Sequence, residues 1–273
     1  MPDPPAHTRL GMPFIELQSV DSTNNYALGQ IRAGLAHHGT AFFAHEQVAG
    51  KGQRGKSWTA ERDTSLILSV ALDPHPLQIG AQFQLSVCAA VAALEFLKKY
   101  AGDAVKIKWP NDLYWHDRKA GGILIENIIG QPSRTGHSSS ANLNTSSSAP
   151  PSWQWAVIGT GININQPSFP ATLANPVSLR QITGKLYDAV DLGKELCLVL
   201  DRKFNDLTNN GFASLFAIYL QELYKVNEPV RFKKNNRVFE AVVKTVTING
   251  ELIIQHGIEE SVAVGEIEWV VKK

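Results

Sequence analysis

The run Gly50-Lys51-Gly52-Gln53-Arg54-Gly55-Lys56-Ser57-Trp58 constrains this chain more than any other stretch. Its glycines let the backbone approach a ligand closely, and the cations Lys51, Arg54 and Lys56 make it a local anion site. Two generic phosphate-binding patterns fit it formally. Gly50, Gly52 and Gly55 satisfy the dinucleotide form G-x-G-x-x-G, while Gly50, Gly55, Lys56 and Ser57 satisfy the P-loop form G-x-x-x-x-G-K-S. Both patterns work only where the loop opens a helix whose amides meet the phosphates. Here the loop leads through Trp58-Thr59-Ala60-Glu61-Arg62-Asp63 into a β-type run from Ser65 to Leu72, with no 3.6-residue apolar period. Asp73 does end an apolar strand in the Walker-B manner, but it lies in the very next element and precedes a proline. A P-loop phosphotransferase and a dinucleotide fold both fail this context test. Taken alone, the run also reads as a cationic surface loop.

Composition narrows the setting. The chain has 273 residues, 44% hydrophobic and 19% charged, which describes a globular protein with a sizeable core. Its 26 Lys+Arg against 25 Asp+Glu leave a net charge of +1, with no global attraction to nucleic acid or anionic membrane. Cys88 and Cys197 are too few for a disulfide scaffold or a cysteine-built zinc site and suit a reducing cytoplasm. The apolar runs read as shorter than the roughly 20 residues of a membrane helix. Met1 to Pro13 lacks a signal-peptide apolar block.

Strand-like runs occur at 40–44, 65–72, 105–109, 122–129 and 153–159, and apolar helical periods at 83–97, 192–200 and 212–223. Both cysteines fall within the helical periods, as core side chains. Between two of the strands, residues 131–152 are rich in Ser, Asn, Thr and Pro and read as a hairpin insertion. After Val226 short strands and a turn at Asn249-Gly250 describe a small all-β module. Its seven basic side chains are matched by seven acidic ones, so it carries no electrostatic footprint for nucleic acid.

The glycine-rich loop does not stand alone. Upstream lies Asp21-Ser22-Thr23-Asn24-Asn25; downstream lie Lys108-Trp109-Pro110-Asn111-Asp112, Arg118-Lys119-Ala120-Gly121-Gly122-Ile123 and Gly159-Thr160-Gly161-Ile162-Asn163. Each has an ordinary reading: a helix cap at Ser22, a strand ending in a turn, a solvated lysine at 119, a strand bend at the glycines. In this order, the five blocks resemble the catalytic domain of biotin protein ligases, from about Phe14 to the C-terminus apart from the insertion.

The resemblance implies an α+β fold. Its catalytic domain, 14–226, would hold a central mixed sheet flanked by helices, of the class II synthetase type, preceded by a leader at 1–13 and followed by an SH3-like β-barrel at 227–273. It implies a biotin site at Ser22, Thr23, Asn24 and Gln47, whose hydroxyls and amides match the donors and acceptor of a ureido ring. Gly50 and Gly122 would also belong to the biotin site, with Lys51, Gly52 and Gln53 folding over the biotin carboxylate and the ATP phosphates and Lys119 reaching the carboxylate and the α-phosphate. Lys51, Gln53, Arg54, Trp58, Asn111, Lys119 and Asn163 would meet ATP, with Lys119, Lys51 and Asp112 as the catalytic group. The loop departs from the commonest form of the motif, because Lys51, Gln53 and Lys56 stand at arginine positions and Gln53 loses the charge altogether. The activity implied is Mg²⁺-dependent formation of biotinyl-5′-AMP from biotin and ATP, followed by transfer to a lysine of a biotin carboxyl carrier protein. A lipoate or octanoate transferase, of related fold, and a non-catalytic biotin or nucleotide sensor are the alternatives. Only about a dozen residues precede Phe14, too few for a helix-turn-helix. No DNA partner, no membrane and a cytoplasmic location are therefore expected, and homodimerisation is left open.

Overall fold

The computed structural model describes residues 9–130 and 151–270, so the insertion expected over 131–152 and the leader fall largely outside the described residues. Seven strands form one sheet: β1 (Phe14–Leu17), β2 (Ala41–Ala44), β3 (Ser65–Leu72), β4 (Val105–Lys108), β5 (Asp112–Trp115), β6 (Arg118–Gly130) and β7 (Ser152–Asn163). Their order is β1-β2-β3-β7-β6-β5-β4, antiparallel except for the β1–β2 pair. Strand β3, Ser-Leu-Ile-Leu-Ser-Val-Ala-Leu, is buried along its whole length, as expected of a central strand covered on both faces. Strands β6 and β7 pair from Gly121↔Ile162 to Gly130↔Ser152, so the two flanks of the insertion are sheet neighbours.

The helices are α1 (Thr23–Arg32), α2 (Gln82–Ala101), α3 (Leu179–Thr183), α4 (Ala189–Asn210) and α5 (Phe212–Gln221). Leu66, Leu68, Val70, Ile158 and Ile162 project from one sheet face into the main core with Val87, Val91 and Leu94 of α2 and Leu196 and Leu200 of α4. Phe42, Ala71 and Val157 project from the other face and pack with Ala27 of α1 in a smaller core. Length and composition make the stretch Ile79–Ala101 apolar enough to cross a membrane, contrary to the expectation from run lengths. Most of α2 is instead enclosed by α4, α5 and the sheet, and the lysines at its C-terminal end precede Gly102 at a φ of 73°. Cys88 and Cys197 are buried in these helices, and burial raises both thiols, Cys197 to about 12.

Strands β8 (Pro229–Lys234), β9 (Arg237–Val246), β10 (Leu252–His256), β11 (Ile258–Val262) and β12 (Glu268–Trp269) form an antiparallel sheet in the order β11-β10-β9-β8-β12. This agrees with the expected SH3-like module, although among the described residues no ladder joins β11 to β12 into a closed barrel. The module is fused to the larger unit. Phe232, Val243 and Ile254 belong to the same core as α2, and Trp109 Nε1 donates to Gly250 O at 2.9 Å.

Candidate active site

Two cross-strand rows on the α1 face of the sheet lay out the site. Strand register aligns Lys108, Asp112, Gly122, Gly161 and Ile67 across β4, β5, β6, β7 and β3. One step along, Leu124, Gly159 and Ser69 align across β6, β7 and β3. Glycines stand at the middle of both rows, so the sheet surface is hollow there. A register shift between Leu113 and Tyr114 pairs Tyr114 with Lys119 rather than Ala120. This bulge turns the Lys119 side chain onto the Gly122 face, which regular alternation would not do. The Lys119 ammonium thereby meets Asp112 Oδ1 at 2.6 Å. A Cβ on Gly122 would come within 3.1 Å of that carboxylate oxygen, so a glycine keeps room for the pair.

At the other end the first turn of α1 delivers Ser22, Thr23 and Asn24, all buried. Gln47 Oε1 accepts from the Thr23 backbone N–H at 2.7 Å and lies 3.1 Å from its hydroxyl. Ser69 Oγ stands 2.7 Å from Thr23 Oγ1 and 2.6 Å from Asn24 Oδ1, and Asn24 Nδ2 donates to Glu126 Oε2 at 2.8 Å. The result is a clasp of short hydroxyl and amide groups, preset before any ligand arrives. Ser22 occupies the N-cap position of α1, but its side chain makes no capping hydrogen bond, so the helix-cap reading holds for its backbone only.

The glycine-rich loop closes over these rows as a small hairpin. Gly52 N donates to Lys56 O at 2.6 Å and Trp58 N to Gly50 O at 2.9 Å. The only helical geometry within the loop is a short turn at Gln53–Gly55, with Arg54 left-handed at a φ of 57°. No helix N-terminus faces the cavity from this loop, in line with the failed P-loop and dinucleotide readings. Lys51 Nζ donates to Asn25 Oδ1 and lies 3.9 Å from Glu126 Oε1. The Trp58 indole lies on Gly161, where a Cβ would approach Cε2 to 2.7 Å, and Lys119 Nζ is 5.9 Å from the indole ring centre. Arg54 reaches the C-terminal module, where a Cβ on Gly265 would stand 2.6 Å from its Cζ.

These parts enclose a cavity of about 290 Å³. Ser22, Thr23, Asn24, Gln47, Lys51, Gly52, Gln53, Arg54, Trp58, Asn111, Asp112, Lys119 and Gly122 all line it. Two expected site residues do not. Gly50 lies behind the wall, where a Cβ would collide with Trp58 O and press on the Gln47 amide, so its smallness shapes the loop. Asn163 is buried and turns away, its Nδ2 donating to Lys119 O at 3.3 Å and Val177 O at 3.1 Å. It therefore braces the Lys119 strand, while Thr160 and Gly161 of the same block face the cavity. Asn111 Nδ2 likewise donates to Ile123 O. Sequence reasoning missed Ser69, which is one of two serines in an apolar strand, as well as Glu126, Lys108 and the Val264–Trp269 wall from the C-terminal module. The alternation of β3 places Ser69 on the face of Ile67, which was the only signal for it.

Residues 16–144 match the model of the Biotin/lipoate A/B protein ligase family. The chain is 29% identical over 256 residues to the bifunctional ligase/repressor BirA of Escherichia coli, covering 92% of this chain and 72% of that one. It is 28% identical over 246 residues to the biotin–[acetyl-CoA-carboxylase] ligase of Paracoccus denitrificans, covering 88% of this chain and 92% of the relative. Among solved structures, the biotin protein ligase from Aquifex aeolicus in complex with biotin and ATP superimposes with a TM-score of 0.73 at 21% identity, over 94% of this chain and 98% of that one. The seven-stranded sheet, the C-terminal β module and the five ordered sequence blocks all agree with this similarity, which runs to the Biotin/lipoate A/B protein ligase family over residues 16–144 and, in fold, to biotin protein ligases over nearly the whole chain.

Proposed function

We propose that this protein activates biotin with ATP to biotinyl-5′-AMP, releasing pyrophosphate, and transfers the biotinyl group to a lysine of a biotin carboxyl carrier protein. One observation carries the reading. A single cavity joins a neutral hydroxyl and amide clasp, suited to a ureido ring, to the Lys119–Asp112 pair under a cationic loop, suited to carboxylate and phosphate.

In this reading Ser22, Thr23, Asn24 and Gln47 take the ureido ring, and Ser69 holds Thr23 and Asn24 in position. Gly50 shapes the loop that brings Lys51, Gly52 and Gln53 over the biotin carboxylate. Lys119 sits where carboxylate oxygen and α-phosphorus must meet. Two anions approach each other in that step, so Lys119, Lys51 and Arg54 offset their repulsion and the charge developing on the phosphoryl oxygens. Trp58 offers a face to adenosine, Asn111 fixes the β5–β6 corner, and Asn163 braces the Lys119 backbone through its carbonyl. The carboxylate oxygen bonds to the α-phosphorus as its bond to the bridging oxygen breaks, and that electron pair leaves with pyrophosphate. In the second step a neutral carrier amine attacks the mixed anhydride and AMP departs. That step needs positioning and exclusion of water, which a loop closed over the intermediate provides.

Among the described residues no group of three or more His, Cys, Asp and Glu side chains gathers to hold a metal. A magnesium ion carried in on nucleotide phosphates needs only one or two protein carboxylates, and Asp112 fits that part. Bound there, the ion would add positive charge to the phosphates. The partners in this reading are biotin and the carrier, with neither DNA nor membrane, in the cytoplasm. Incubation with biotin, Mg-ATP and a purified carrier domain should add one biotinyl mass to the carrier and yield AMP and pyrophosphate. ADP as the product, or an unmodified carrier, would refute the assignment.

A further inference from the structure

Lys108 has no part in the roles assigned so far, yet it is the most unusual charge in the molecule. It closes the cross-strand row at β4, beside Asp112, and lines the cavity while only 7% exposed. Among the described residues no carboxylate pairs with it, because Asp112 is engaged by Lys119. Its one hydrogen-bond partner is the Tyr114 phenol, at 3.1 Å, and it stands 4.6 Å from the Tyr114 ring and 5.3 Å from that of Trp269 in the C-terminal module.

Two aromatic faces return to a cation only a part of what taking an ammonium out of water costs. Methionine at this position would be cheaper for the fold. Its environment is also crowded with like charge, since Lys51, Arg54, Lys56 and Lys119 line the same cavity against only Asp112 and Glu268. Burial, with Lys119 and Lys56 nearby, pushes the ammonium down to about 8, against the pull of Asp112. A cavity with this surplus of cations is matched by a polyanion, and Lys108 marks the end of it farthest from the hydroxyl and amide clasp.

Resting on the ligase reading above, we propose that Lys108 is a further catalytic residue, whose ammonium receives the pyrophosphate end of the nucleotide during adenylation. The clasp fixes biotin at the Ser69 end of the site, and Lys119 and Asp112 mark its middle, where the new bond forms. The leaving group then departs toward β4, under Trp269. As the bond between the α-phosphorus and the bridging oxygen breaks, the electron pair stays on that oxygen, and Lys108 stabilises the negative charge without giving up its proton. An ammonium held in a dry aromatic slot does this better than one in water.

The test uses Lys108→Met, whose apolar side chain suits a buried strand position, with circular dichroism to confirm folding and Lys108→Gln as the alternative if it fails. Inorganic pyrophosphate is titrated by calorimetry into the wild-type and variant proteins, and each half-reaction is measured separately. Pyrophosphate affinity and single-turnover adenylation should fall by on the order of tenfold to a hundredfold, while the KM for biotin and transfer from synthetic biotinyl-5′-AMP stay within about twofold. Unchanged pyrophosphate affinity would overturn the proposal, as would an equal loss in both half-reactions. A loss confined to transfer would also overturn it and make Lys108 the base for the carrier amine. If wild-type protein forms no adenylate, the ligase reading fails, while the pyrophosphate titration still decides on Lys108.

Discussion

Asn24 and Gly159 fit each other as side chain to slot: a Cβ on Gly159 would stand 2.2 Å from Asn24 Oδ1. Gly159 lies mid-strand in β7, with no need of unusual backbone angles, so its smallness serves the amide above it. Gly159→Ala should therefore displace Asn24 and raise the dissociation constant for biotin at least about tenfold, with little effect on nucleotide binding. Calorimetric titration with each ligand checks this, and equal losses for both ligands would point to general misfolding instead.

Ser69→Ala removes hydrogen bonds at 2.7 and 2.6 Å to Thr23 and Asn24 while leaving the strand intact. A buried hydrogen bond contributes about 0.5–1.5 kcal/mol, and its orphaned partner costs more. The KM for biotin should rise roughly tenfold, with kcat and the KM for ATP nearly unchanged. A fall in kcat alone would contradict a positioning role.

The Lys119–Asp112 contact of 2.6 Å makes these two residues one unit. Lys119→Ala should reduce biotin-dependent ATP–pyrophosphate exchange by on the order of 10²–10³. Asp112→Asn should cost less, and the double variant little more than Lys119→Ala alone, since the carboxylate acts partly through the lysine. Additive losses in this cycle would show that the two work independently.

How far the sequence disclosed this site depended on the kind of signal. Five short blocks with unusual residue types, from Ser22-Thr23-Asn24 to Gly159-Thr160-Gly161, reveal themselves by order alone, and nearly all of their residues meet in one cavity. Strands β3 and β6 and helix α2 announce themselves by apolar runs and periods. Lys119 does not reveal how it enters the cavity, because that depends on a bulge defined only by the partner strand β5. Asn163 shows the opposite limit: alternation puts it on the face of Gly161, but its amide is taken up by the Lys119 and Val177 carbonyls, which no local sequence pattern reveals. Lys108 reads as the polar end of an ordinary strand until the C-terminal module closes over it.

Lys108 also gives the protein a pH signature. Its folded value of about 8 lies below the ordinary lysine value of 10.5, so between those limits the unfolded chain binds a proton the folded chain has released. Stability therefore rises with pH across that window, and nothing is gained below about pH 8. The difference in unfolding free energy between wild type and Lys108→Met, measured in urea, should shift toward the wild type from about pH 8 to 10 and stay level below it. Tyr114, Tyr219 and Tyr224, all raised by burial, act in the opposite sense above their ordinary value, which sets the upper limit of the comparison. A level difference throughout would contradict a lowered Lys108.

The contact of Arg54 with Gly265 ties the two halves of the chain into one thermodynamic system. A loop cation that rests on the C-terminal module cannot be repositioned by a ligand without altering the module's hold on the rest of the fold. Reciprocity then applies: whatever a nucleotide gains by fixing the loop appears as added protection of the module's amides from hydrogen exchange, and loosening the module weakens the ligand by the same factor. The small β module is in this sense a gauge of occupancy, readable at a distance from the chemistry it helps to enclose.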